Sequence, residues 1–315
     1  MPRPDGSKVA ILLQVPPRLA ADGGSAEEVL LASGARDESG GWDELPLLVW
    51  FHGGGYTIGN NKDTYGATLA NDLLKLHGVR FAYASVDYSL APEHAFPTPA
   101  LDGLLALEFL NKKVLEGRLA EATLRLKGPI HVGGISAGAG LAASVVAEGV
   151  RRGVRMGSFF CDSPMLDPSC ASTSYQTHST TTVCPVEWLH WSWEVYLPEG
   201  SERVAPELRG LLPALARGCL ALPAAAPARA TRAAAAAQSF PPTLVCTATA
   251  DPLRDEGREY LRRLGEAGAE VAHVEFHGSH AMGIMLDKKG RNKALAEWAR
   301  MLVQNTEPTQ RVRAA

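Results

Sequence analysis

One stretch of sequence limits the possible folds more than any other: an apolar run, then glycines on both sides of a single serine, then a run of helix formers. The apolar run begins at Pro129, the serine is Ser136 between Gly134 and Gly138, and the Ala/Leu/Val run continues to Glu148. This order predicts a strand, a sharp turn and a helix. Glycines two residues before and after the serine are typical of a turn in which the serine backbone is strained. The neighbouring backbone passes too close to these two positions for a Cβ. Such a turn presents a hydroxyl at a helix N-terminus, which favours an oxyanion.

A second glycine-rich segment supports this interpretation. The pentapeptide alone is weak evidence, because a Gly-rich turn with an incidental serine would have the same sequence pattern. Residues 45–51 are almost continuously apolar, as in a strand buried on both faces of a parallel sheet. They lead directly into His52-Gly53-Gly54-Gly55. Three successive glycines allow backbone N–H groups to converge on an anion. We therefore expect an oxyanion-binding loop here rather than a flexible turn.

Three residues with complementary chemistry follow in the order Ser136, Asp251, His280. Asp251 comes directly after the apolar run 241–250, and His280 follows the apolar run 269–276. A serine hydroxyl becomes a good nucleophile when an imidazole takes its proton, and a carboxylate fixes the imidazole tautomer. Nucleophile, acid and histidine in this chain order are typical of the α/β-hydrolase fold.

The acid and the histidine of this predicted triad have rivals in the sequence. Asp255 is four residues after Asp251 and is expected on the following helix, where it caps the helix or forms an ion pair. His277 is three residues before His280. The position of His280 after the strand favours His280 as the catalytic histidine. The remaining candidates are predicted to be structural, and they are His52, His131 and His273.

Residues 163–240 interrupt the alternation of strands and helices and predict a cap over the site. Aromatic residues cluster at 183–197, and they either pack a helix on the core or line an apolar pocket. Both interpretations stay open, and the residues we assign to the pocket are Tyr56, Trp188 and Trp191. We predict one domain over residues 1–315, with a cap insertion at about 165–240, an Ala-rich helix at Ala233–Ala237, a first strand at Lys8–Val15 and a loose connection at about 16–45.

Composition excludes several function classes. The net charge of −3 gives no reason to expect nucleic acid or a membrane surface as partner. Five cysteines without a C-x-x-C pair indicate neither a disulfide framework nor a metal site. The apolar run at Val9–Val15 is too short to span a bilayer and has no small-residue cleavage site, so we expect a cytoplasmic protein.

Two more segments carry a family resemblance: Tyr88-Ser89-Leu90-Ala91-Pro92-Glu93-His94 and Asp251-Pro252-Leu253-Arg254-Asp255-Glu256-Gly257. With the two glycine motifs, they resemble the hormone-sensitive-lipase-like serine carboxylesterases over about 45–160 and 240–305. The resemblance implies a mostly parallel central sheet flanked by helices, with a reduced or irregular helical cap. It also implies hydrolysis of short-chain esters through an acyl-enzyme without cofactor or metal. The oxyanion N–H groups would come from Gly54, Gly55 and Ala137.

The chain departs from the family in three places. Ile135 stands where most members carry Asp or Thr, which predicts altered packing rather than lost activity. The segment around His280 is one residue shorter than usual, and a strand at Lys8 suggests that the N-terminal part of the cap is missing.

Several functions are compatible with this resemblance. We expect a small-molecule ester substrate, and relatives in secondary metabolism suggest deacetylation of an aromatic polyketide. Other reactions on the same fold are amide or thioester hydrolysis and dehydration. Plant hormone receptors of this fold have lost the catalytic histidine, which His280 retains, so a binding protein is the alternative. A homodimer is left open.

Overall fold

A single sheet organises the part of the chain that the computed structural model describes, which is residues 8–14, 44–119, 124–178, 183–199 and 240–304. Its eight strands are β1 Ala10–Gln14, β2 Glu44–Phe51, β3 Ala82–Asp87, β4 Arg118–Leu119, β5 Leu124–Ile135, β6 Met156–Asp162, β7 Thr243–Ala250 and β8 Val271–Ser279. The helices are α1 Thr64–His77, α2 Thr98–Leu115, α3 Ala137–Arg151, α4 Thr173–Thr177, α5 Val186–Tyr196, α6 Arg254–Glu266, α7 Gly283–Leu286 and α8 Lys288–Gln304.

The strand order is β1-β3-β2-β5-β6-β7-β8, with β4 paired to β5. β1 runs antiparallel to β3, and every pair from β3 through β2, β5, β6 and β7 to β8 is parallel. The parallel strands are buried on both faces, which explains their continuous apolar sequences; all seven residues of β6 are buried. The predicted mostly parallel sheet flanked by helices is confirmed.

The helices form a layer on each face of the sheet. On one face, α2 and α3 pack together over a cluster that includes Phe51 and Phe159. On the other face, α1 and α8 enclose Trp50, Phe160 and Trp298, and the rings of the last two stack with centroids 4.3 Å apart. Adjacent strand residues point to opposite faces, so each apolar strand contributes to both clusters.

The sequence pattern predicts one helix over Gly257–Ala267 and a final helix from about Arg291 to Gln304. Both begin a few residues earlier in the structure, α6 at Arg254 and α8 at Lys288. Asp255 and Glu256 lie in the first turn of α6, where acidic side chains favour the helix N-terminus. Gly257 is therefore an interior residue of α6, at a point where an added Cβ would lie 2.9 Å from the Thr247 side chain.

Several predictions at the ends and in the cap are only partly within the described residues. β1 begins at Ala10, two residues after the predicted start. Most of the predicted connection at 16–45, the proposed helix at Ala233–Ala237, and Cys219 lie outside the described residues. Within the predicted cap at about 165–240, the structure describes the helices α4 and α5. Among the ranges given above, no helix has the length and apolarity to cross a membrane.

Candidate active site

The turn between β5 and α3 has the strained geometry that its glycines predict. Ser136 lies at φ 58° and ψ −126°, a backbone conformation that L-residues rarely adopt. A Cβ on Gly138 would lie 2.1 Å from the carbonyl oxygen of His52, and one on Gly134 would lie 2.6 Å from the carbonyl oxygen of Gly138. No side chain fits at either position, so the two glycines permit this turn.

The structure brings Ser136, His280 and Asp251 together in one chain of hydrogen bonds. His280 Nε2 lies 3.0 Å from Ser136 Oγ, and His280 Nδ1 lies 2.9 Å from Asp251 Oδ2. Because an ionised carboxylate only accepts hydrogen bonds, the proton sits on Nδ1, and Nε2 is left to accept from the serine hydroxyl. All three side chains are buried. The shorter segment around His280 therefore still aligns the imidazole with the serine.

The electrostatics of His280 suit a general base. Burial opposes protonation of the imidazole, but the Asp251 carboxylate and, more weakly, Asp162 outweigh it, so the pKa of His280 is raised above its usual value. The other oxygen of Asp251, Oδ1, accepts the Leu253 N–H at 2.9 Å, which fixes the carboxylate plane. The imidazolium that forms during proton transfer thus faces a fixed negative charge.

The rivals of the acid and the histidine lie elsewhere. Asp255 is on α6, where its Oδ1 accepts from Arg254 Nε at 2.8 Å and its Oδ2 accepts from the Ser174 N–H at 2.9 Å. The ion pair predicted for Asp255 is confirmed. His277 is exposed, and its backbone N–H donates to Asp287.

The three histidines that the sequence predicts to be structural lie outside the hydrogen-bonded chain of Ser136, His280 and Asp251. His131 Nδ1 lies 2.9 Å from Ser158 Oγ, and burial lowers the pKa of His131 to about 3. The ring of His52 stacks on Tyr88 with centroids 4.2 Å apart. His273 lies inside β8, away from the turn that carries the triad histidine.

The triple-glycine loop passes against the serine turn. A Cβ on Gly53 would be 3.4 Å from the Ser136 Cβ, and Gly54 and Gly55 have positive φ values of 120° and 58°. Ala137 is the first residue of α3, and the first N–H groups of a helix have no acceptor within the helix. The structure thus brings together the two segments that contain the predicted oxyanion donors Gly54, Gly55 and Ala137.

The predicted pocket residues separate into different environments. A Cβ on Gly55 would lie 2.7 Å from the Trp188 ring, so this partly buried ring covers the triple-glycine loop. Trp191 is one residue before the buried Ser192 on α5, and its side chain is 45% exposed.

Tyr56 does not line an open pocket, contrary to our expectation. Its side chain is only 1% exposed, its ring stacks on Tyr196 at 4.0 Å, and its hydroxyl donates to the Met165 carbonyl at 2.9 Å. The α5 helix covers it, because Trp193 and Tyr196 point inward from that helix. Tyr56 instead connects the triple-glycine loop to α5 and to the segment after β6.

One residue beside the site was not found from the sequence. Asp162 is the last residue of β6, is buried, and pairs in register with Ile135. The available signal was a carboxylate at the end of an otherwise apolar strand, at the same sheet edge as the serine. No group of three or more His, Cys, Asp or Glu residues that could hold a metal occurs within the ranges that the structure covers.

The fold and the site define a class of protein: an α/β protein whose serine follows β5, whose aspartate follows β7 and whose histidine follows β8. A comparison with protein families matches residues 48–282 to the α/β hydrolase fold. The chain therefore belongs to the α/β hydrolase fold family, and its motifs and relatives place it with the hormone-sensitive-lipase-like members.

Relatives in this family include both receptors and esterases. The chain is 26% identical over 227 residues to the gibberellin receptor GID1B of Arabidopsis thaliana, covering 72% of this chain and 57% of that protein. It is 28% identical over 226 residues to an ethyl acetate hydrolase of Pseudomonas putida, covering 71% of this chain and 61% of that protein. The chain thus spans about three fifths of the length of these curated relatives.

Solved structures of esterases have the same fold. A fungal esterase from Rhizomucor miehei superposes with a TM-score of 0.68 at 25% identity, covering 97% of this chain and 80% of that one.

Proposed function

We propose that this protein is a serine carboxylic-ester hydrolase. The observation that carries the proposal is the hydrogen-bonded chain Ser136–His280–Asp251, with 3.0 and 2.9 Å between its donor and acceptor atoms. Two relatives that are named as esterases, at 28% and 25% identity to this chain, support the proposal.

The mechanism follows from these contacts. Ser136 Oγ attacks the ester carbonyl while His280 Nε2 accepts its proton, and Asp251 stabilises the resulting imidazolium. The imidazolium then returns the proton to the alcohol that leaves, which gives an acyl-serine. Water, deprotonated by the same imidazole, attacks the acyl-serine and releases the acid.

The developing oxyanion has donors nearby in this proposal. The backbone N–H groups of Gly54, Gly55 and Ala137 would hold it. Donors fixed before the reaction stabilise the oxyanion more than they stabilise the uncharged carbonyl.

The surroundings of the glycine loop favour short acyl groups. The Trp188 ring and the Ser192 hydroxyl both lie against Gly55, so little room is left beside the oxyanion loop. The name of the Pseudomonas putida relative describes hydrolysis of an acetyl ester, which agrees with a small acyl pocket. As the finer proposal, the substrate is an acetylated aromatic metabolite whose flat ring packs on the exposed Trp191.

A second candidate is a small-molecule binding protein, favoured by the similarity to a gibberellin receptor. The two candidates differ in one requirement, because binding does not need a serine hydroxyl aligned with an imidazole. The complete triad of Ser136, His280 and Asp251 favours the enzyme.

Hydrolysis of p-nitrophenyl acetate, butyrate and octanoate by the wild type and by Ser136→Ala tests the proposal. We expect turnover of acetate and butyrate, less of octanoate, and a loss of at least about three orders of magnitude in the variant. A matched control is Ser144→Ala, eight residues along α3, which should stay within a few-fold of wild type. Equal rates for wild type and Ser136→Ala would contradict the proposal, and tight binding of an ester without turnover would support a receptor. A matched p-nitroanilide separates ester from amide hydrolysis.

A further inference from the structure

Asp162 is a buried carboxylate beside the triad for which the mechanism above has no use. Its residue is 1% exposed, and its backbone carbonyl accepts the Ser136 N–H at 2.9 Å. It ends β6 opposite Ile135, the residue before the nucleophile. The side chain therefore starts from the same sheet edge as the reacting groups.

Two hydroxyl groups hold this carboxylate. Tyr65 Oη, from α1, donates to Oδ2, and Ser163 Oγ donates to Oδ1 at 3.0 Å. Hydroxyl donors on both oxygens favour the ionised form, which burial disfavours. Among the ion pairs of the described residues, none joins Asp162 to a lysine or arginine.

The ionisable groups around Asp162 come from several elements. His280, in the turn after β8, and Asp251, in the turn after β7, interact with it electrostatically. Two buried thiols interact with it electrostatically, Cys161 on β6 and Cys246 on β7. Asp63, before α1, acts on its partner Tyr65. Of all these groups, His280 alone becomes a cation.

The electrostatics of Asp162 and His280 are coupled. Burial raises the pKa of Asp162 to about 6, against the hydrogen bonds from Tyr65 and Ser163 and the attraction of His280. In return, Asp162 contributes to the raised pKa of His280. A charge on His280 thus favours the ionised form of Asp162, and a charge on Asp162 favours the protonated form of His280.

We propose that Asp162, held by Tyr65 and Ser163, is a positioning residue of the active site: a second carboxylate that, with Asp251, stabilises the His280 imidazolium. Asp251 contacts the imidazole directly and fixes its tautomer, whereas Asp162 acts through its charge across the site. This role rests on the proposed hydrolysis, since in that reaction His280 becomes an imidazolium when it takes the proton of Ser136.

The variant Asp162→Asn keeps the volume of the side chain and removes its charge. Without that charge the imidazolium is less stable, so the pKa of His280 falls. The acid limb of the pH profile of kcat/KM should move to lower pH by about half to one unit, and the plateau should fall about three- to tenfold. Tyr65→Phe, which keeps Asp162 but weakens its ionised form, should give a smaller change in the same direction.

Glu256→Gln is the matched control. Glu256 is also a buried carboxylate, but it accepts hydrogen bonds from the backbone of the segment after β6, at Leu166 and Asp167. It is not among the groups that act on His280. Its loss should lower stability and leave the midpoint of the acid limb in place.

The decisive measurement is a pH titration of His280 by NMR in a Ser136→Ala background, with and without Asp162→Asn or Tyr65→Phe, and with His280→Gln to assign the signal. It needs no turnover, so it tests the inference even where the proposed hydrolysis fails. A lower pKa of His280 in Asp162→Asn, with an intermediate value in Tyr65→Phe, supports the inference. An unchanged pKa in the folded variants overturns it. Should Asp162→Asn not fold, Tyr65→Phe decides alone by the same criterion.

Discussion

Replacing Asp251 with asparagine removes one charge from the centre of the site and little else. The side chain is fully buried, its Oδ2 lies 2.9 Å from His280 Nδ1, and its Oδ1 accepts the Leu253 N–H. Asparagine has the same shape, but its amide N–H₂ can only donate. When it faces Nδ1, the imidazole proton moves to Nε2, and the base no longer accepts from Ser136.

The expected loss follows from the charge and the tautomer. Two unit charges about 4 Å apart interact by about 4 kcal/mol at an effective dielectric constant of about 20. That is about a thousandfold in rate at about 1.4 kcal/mol per factor of ten. The wrong tautomer adds to this, so we expect Asp251→Asn to lower kcat/KM for p-nitrophenyl acetate by about 10³ to 10⁴ at neutral pH.

Asp255→Asn is the matched control, four residues along the chain. Asp255 pairs with Arg254 and accepts the Ser174 N–H on the outside of the site, so its loss should change kcat/KM by less than tenfold. Circular dichroism and thermal unfolding of both variants check that they fold. A folded Asp251→Asn within tenfold of wild type, or a larger loss in Asp255→Asn, would refute the assignment of the acid.

Three further perturbations have defined outcomes. Gly138→Ala places a Cβ 2.1 Å from the His52 carbonyl oxygen, and urea unfolding should show a loss of about 3 kcal/mol or more. The pKa of His280 is raised above 6.5, so kcat/KM in wild type should fall as the pH decreases, with a midpoint above 6.5 in a pH–rate profile. Trp188→Ala opens space beside Gly55, so the ratio of octanoate to acetate turnover should rise by at least about tenfold.

The catalytic framework could be predicted because its chemistry restricts the residue types. Only glycine tolerates the contacts at Gly134 and Gly138, and a buried strand must come before them. A nucleophile, an acid and a histidine at the ends of parallel strands meet at one sheet edge, wherever they lie in the sequence. Local pattern and sheet topology together therefore specify the triad.

The surroundings of the triad could not be predicted in the same way. Tyr56 follows the triple-glycine loop directly, yet its ring is covered by Tyr196, a contact between residues 140 positions apart that no local pattern records. The pairing of Asp162 with Tyr65 is also long-range, since one lies on a strand and the other on a helix across the sheet edge. Such contacts depend on packing between elements, and the sequence shows only that a polar residue occurs in an apolar run.

The central claim is that Ser136 is a nucleophile activated by His280. Covalent labelling with a fluorophosphonate tests it directly, with intact mass and peptide mapping as the readout. The account predicts one adduct, on the peptide that contains Ser136, formed in wild type and in His277→Gln but slowed by at least about a thousandfold in His280→Gln. An adduct on another residue, or equal labelling of wild type and His280→Gln, would contradict it.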